Sequence, residues 1–226
     1  MGSLHTKLFT DNSTSCKNSV IGNNFTVTNA STFTTGFYKN SNAVTITSGT
    51  STRIDKSDIM PKEGTIIVMF KPNGWSLSGT SMTGSSSYRS VFFRDNLVIP
   101  LVTWSVQNGI GIRCFLHDGT NPIRFIDATS STINDGQWYG AAVTWSTANN
   151  EFKSYLDSTN IAYLSATIAL TGSSSTYYSL GRRAGANDQW MGGDADGMTI
   201  YNRVLSASEI KQAMNIKRNG LSDNIE

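Results

Sequence analysis

Four glutamates, two histidines and two cysteines carry most of the reactive chemistry open to this chain. The glutamates are Glu63, Glu151, Glu209 and Glu226, all far apart in sequence. A retaining glycosidase needs two carboxyl groups about 5–5.5 Å apart, which alternate positions of one strand can supply. No Glu-x-Asp occurs anywhere, so a glycosidase built on that spacing is not expected. His5 lies at the very start, and a Ser-His-Asp triad would therefore have to use His117. His117-Asp118-Gly119 reads instead as a turn. Cys114 lies on the inward side of an alternating stretch with Ile110, Ile112 and Leu116, which fits a buried thiol better than a nucleophile. Arg113, Phe115 and His117 point the other way. A Cys16–Cys114 bridge and two separate thiols both fit so few cysteines. No zinc-ligand cluster or phosphate-cradling glycine loop is present. The chain reads as a non-enzyme.

Recognition is what remains. A ligand site needs a flat apolar face beside a few well-placed polar groups, so the aromatics outside the core are the candidates. Trp138 and Trp145 fall in a strongly apolar hairpin and read as structural, and Trp104 closes a strand. Trp190 ends Arg182-Arg183-Ala184-Gly185-Ala186-Asn187-Asp188-Gln189, a loop dense in hydrogen-bonding groups. Arg182, Asn187, Asp188 and Trp190 are the first candidates for a ligand site, followed by Trp75, Tyr88 and Arg94. For Trp190, a core role and a ligand role weigh equally.

The totals narrow the partner. Net charge is +2 from 18 basic and 16 acidic residues, with no basic run beyond Arg182-Arg183 and Lys217-Arg218. Nucleic-acid binding needs clustered Lys and Arg, so no nucleic-acid partner is expected. No apolar run approaches the roughly 20 residues that span a bilayer, and no membrane insertion is expected. Met1 to His5 lacks a signal-peptide core. An extracellular or virion-surface setting, as one module of a larger protein, is the expectation, because a recognition module is usually displayed by something larger.

The elements that must position these groups are strands. Charged residues are 15% of the chain, against roughly 25% in an average soluble domain, and Ser, Thr and Asn supply the missing polarity. Phe25–Thr28 and Ala43–Thr47 alternate apolar with hydroxyl residues, as half-buried strands do. Gly64–Phe70 is nearly continuous apolar and ends at Lys71-Pro72-Asn73-Gly74, which predicts a strand buried on both faces. Ser76 to Ser87 and Gly172 to Thr176 read as loops, and residues 1–20 as an irregular start. Ser206-Ala207-Ser208-Glu209 is a capping box that opens a helix over 206–216. The whole is expected to be a single domain, 1–226.

Three stretches then resemble the laminin-G-like family of the concanavalin A-like lectin and glucanase superfamily. They are Gly64 to Pro72, the hairpin Asp135-Gly136-Gln137-Trp138 through Trp145 with Tyr155-Leu156-Asp157, and Trp190 through Ser206. Tyr139, Ser158 and Gly197 depart from the family pattern, each at a turn or on a strand surface. The resemblance implies an all-β jelly roll of two antiparallel sheets, one concave, with a short C-terminal helix. It also implies a lectin-like, glycan-binding role, or else a structural or protein-binding one. It further implies a structural calcium (Ca2+), with Asp196 at the position of a ligand.

Overall fold

A computed structural model describes residues 6–9, 15–18, 25–28, 32–37, 42–47, 53–58, 61–83, 88–94, 101–117, 124–169, 176–181 and 191–216. Along the chain run β1 (Thr6–Phe9), β2 (Ser15–Asn18), β3 (Phe25–Thr28), β4 (Phe33–Thr35), β5 (Asn42–Ile46), β6 (Arg53–Asp58) and β7 (Glu63–Pro72). Next come β8 (Ser76–Ser78), β9 (Ser81–Thr83), β10 (Tyr88–Arg94), β11 (Leu101–Gln107), β12 (Gly111–His117) and β13 (Arg124–Ala128). The chain continues with β14 (Thr132–Ile133), β15 (Tyr139–Ser146), β16 (Glu151–Leu156), β17 (Thr159–Ser165), β18 (Thr176–Leu180), β19 (Gly193–Tyr201) and α1 (Ala207–Ile216).

Every ladder is antiparallel. One sheet runs β5-β19-β7-β15-β16-β17, with β4 on β5. The other runs β2-β3-β6-β18-β10-β11-β12-β13, and β1 pairs with both β19 and β2, joining the two. The start of the chain, expected to be irregular, thus holds two strands. The Ser76–Ser87 stretch, expected to be a loop, contains the β8–β9 hairpin, which pairs with β14 in a third small sheet. Serine and threonine content misled there, because hydroxyl residues serve strands as readily as turns.

The apolar run of β7 is explained by cover on both sides. Ile66, Val68 and Phe70 enter the main core between the sheets with Trp104, Val143 and Ile126. Ile67 and Met69 face the other way, onto a second cluster with Tyr155, Leu205, Ile210 and Met214. Helix α1 therefore caps the back of the first sheet. Its start is the expected capping box: the Ser206 amide donates to Glu209 Oε2 at 2.8 Å, and the Glu209 amide to Ser206 Oγ at 3.3 Å. The Ser206 amide, with the Arg203 guanidinium at 2.7 Å, holds the Glu209 carboxyl below its usual range. The cap is intact at neutral pH and weakens as the pH falls through that lowered value.

Glycines sit where side chains would collide. A Cβ on Gly64 would run into the Trp145 ring, and one on Gly193, at φ +140°, into the Lys71 carbonyl. The latter fixes the close crossing of β19 and β7 beside Trp75.

Candidate functional site

The second sheet has an inner and an outer face, and Cys114 settles which is which. Its sulfur lies 3.0 Å from Ser154 Oγ of the opposite sheet, and its ladder partners Trp104 and Ile126 are core residues. The thiol is free and fully buried, and burial pushes its pKa up. It is a small apolar filler, not a nucleophile.

The residues between these inward positions point outward. Two ladder rows result: Ser90–Ser105–Arg113–Asp127, and Thr103–Phe115–Phe125. At the β13 edge the face is open. Phe125 is 48% exposed there, one of the two large exposed hydrophobics among the described residues. The Arg113 guanidinium lies over its ring, with Cζ 4.7 Å from the centroid, and Phe115 packs beside it at 5.9 Å. Arg113 donates through Nε and Nη2 to the two carboxylate oxygens of Asp127, at 2.8 and 2.9 Å, and through Nη1 to Gln107 Oε1 at 3.3 Å. A two-bond fork of this kind fixes the plane of the guanidinium as well as its charge, so the aromatic face is held in one orientation. Gln107 continues the same side of β11, and His117 that of β12.

Toward β10 the same face closes over. Ser90, Thr103 and Ser105 are buried. Ser105 Oγ donates to the Arg113 carbonyl at 2.6 Å, whereas Ser90 Oγ and Thr103 Oγ1 have no hydrogen-bond partner among the described residues. A buried hydroxyl without a partner costs stability. Thr103→Val is therefore expected to stabilise the fold by about 1 kcal/mol. For a chain of this size that raises Tm by roughly 2–4 °C; a drop in Tm would show that the hydroxyl is in use.

The residues favoured from sequence fall in three groups. Arg182, Asn187, Asp188 and Trp190 lie outside the described residues, but the root of their loop is well placed. The Met191 amide donates to the Gly181 carbonyl at 2.8 Å, and the Gly181 amide to the Val91 carbonyl at 2.9 Å. Gly181 has φ +86° and packs against Ile46, so a side chain there would collide. By register Leu180, just before this root, stands level with Phe92, Trp104, Cys114 and Ile126 of the inward core row. Tyr88 and Arg94 lie on β10, and their side chains are outside the described ones.

Trp75 is a correction. It is fully buried, stacked on Phe70 with centroids 5.8 Å apart and 9° between planes. Its indole Nε1 donates to the Gly192 carbonyl, and its amide to Asp135 Oδ1, both at 2.7 Å. It presents no face to a ligand; instead it locks three loops at one end of the sandwich. Arg89 is buried and its pKa lowered by that burial, with Asp135 acting the other way. Trp104, expected to close a strand, is mid-strand core, while Trp138 and Trp145 are structural as expected.

Asp196 is fully buried on β19. Its neighbour Asp194 is engaged by Lys71 at 2.6 Å and by the Thr45 hydroxyl at 2.7 Å. Calcium takes six to eight oxygens, several from carboxylates. Among the described residues no group of three or more His, Cys, Asp or Glu could hold a metal. The described glutamates are spent on structure: Glu63 on Ser146, Glu151 on Lys153, Glu209 on the helix cap.

A family model described as the concanavalin A-like lectin/glucanases superfamily matches residues 47–211. Among solved structures, domain 4 of AbnA, an extracellular arabinanase from Geobacillus stearothermophilus solved with arabinotriose, is 15% identical. It has a TM-score of 0.68, over 94% of this chain and 98% of that one. The sialidase carbohydrate-binding module of Ruminococcus gnavus bound to α2,3-sialyllactose is 16% identical. Its TM-score is 0.56, over 76% of this chain and 96% of that one. The receptor-binding domain of botulinum neurotoxin D is 13% identical with a TM-score of 0.65, over 93% of this chain and 52% of that one. At these identities the likeness is one of fold. No curated protein matches by sequence.

Proposed function

The chain belongs to the concanavalin A-like lectin/glucanase superfamily, and from that premise we propose that it is a non-catalytic carbohydrate-binding module. The observation that carries this reading is the Phe125 face, with Arg113, Asp127 and Gln107 fixed around it. An exposed ring can lie against the C–H side of a sugar, while the fork of donors and acceptors at its edge meets the hydroxyls. The arabinotriose and sialyllactose held by two of the neighbouring folds support the choice of a glycan. Arg182, Asn187, Asp188 and Trp190, with Tyr88 and Arg94, are kept as further candidates for ligand contacts. Display outside the cell, as part of a larger secreted or surface protein, goes with this role.

Screening the purified domain on a glycan array tests the proposal, with calcium and again with chelator. The expected result is binding to a coherent set of sugars, and a loss of that binding on chelation would place the implied calcium at Asp196 in support of the fold. Silence across the array from a folded protein would contradict it and favour a structural or protein-binding role.

A further inference from the structure

The charge arrangement of the Phe125 face says more than that it suits a sugar. Arg113 is the one Lys or Arg among the described side chains of that face. Both oxygens of Asp127 accept from it, at 2.8 and 2.9 Å, and Gln107 takes a third donor. Among the described side chains of the face, Arg113 and Asp127 thus form a neutral ion pair. A ligand carboxylate arriving there would meet Asp127 at close range, and to gain Arg113 it would have to displace that fork. Like charges placed face to face are strongly unfavourable in a binding site. The remaining polar groups toward β10 are hydroxyls, of Ser90, Thr103 and Ser105, which carry no charge.

We propose, resting on the glycan-binding reading above, that this face selects neutral glycans and rejects carboxylate-bearing ones, with Asp127 as the selecting residue. Asp127 acts by occupying Arg113. Taking away its charge while keeping its shape removes the fork that a ligand carboxylate would have to displace, and Arg is the side chain best matched to that geometry. Specificity here is negative as well as positive: one carboxylate is present to keep others out.

The experiment compares matched pairs of neutral and sialylated oligosaccharides on wild-type protein, on Asp127→Asn and, as a second variant, on Asp127→Ser. The wild type is expected to bind the neutral member at least ten-fold more tightly. Both variants are expected to narrow that ratio by about ten-fold, through tighter binding of the acidic member. A wild type that prefers the acidic sugar, or variants that leave the ratio unchanged, would overturn the proposal while glycan binding itself stands. Binding of neither member by any of the three proteins would overturn the glycan-binding reading along with it.

Discussion

Trp75→Ala is expected to lower the stability of the domain by about 3–5 kcal/mol, the range for emptying a buried aromatic site. The ring is fully buried, lies flat on Phe70, and bonds the Gly192 carbonyl. Its removal opens a cavity where the end of β7 pairs with the start of β19, at Pro72 and Gly193. A fall in Tm of roughly 10 °C or more should follow. Trp75→Phe should cost less. It keeps the stacked ring, and the Gly192 carbonyl still accepts from the Asn73 amide at 3.1 Å. Thermal melts of the two variants decide the matter. A Trp75→Ala protein as stable as the parent would show that the ring is surplus to the core.

Phe125→Ala is expected to do the reverse: little to stability and much to binding. The ring is half exposed on the edge strand β13, so its loss should change stability by no more than about 1 kcal/mol. As the aromatic centre of the proposed surface it belongs to the class of residue whose truncation costs about 2 kcal/mol or more of binding. That is close to a thirty-fold loss of affinity. Titration calorimetry with a sugar bound by the wild type gives the number. A loss below three-fold would remove Phe125 from the site.

Trp75 and Phe125 show how far sequence reasoning reaches. The apolar run of β7, the Tyr139–Trp145 hairpin strand and the Ser206 capping box all carry local patterns, and the structure reproduces each. Trp75 carries none. It follows a Pro-Asn-Gly turn, which suggests the surface, and only the non-local bonds to Gly192 and Asp135 pull it inside. The Arg113–Asp127 fork is likewise a register effect between β12 and β13, fourteen residues apart in sequence. A signal for the face did exist in the outward alternation of Arg113, Phe115 and His117. Reading it as a surface required the pairing partner Phe125, which the sequence does not identify.

The most direct test of the central claim is to map a bound neutral oligosaccharide by backbone amide shifts in a two-dimensional NMR titration. The account predicts that the largest changes cluster on the open part of this face, at Gln107, Arg113, Phe115, Phe125 and Asp127. Changes confined to the opposite sheet and α1, with those amides still, would contradict it.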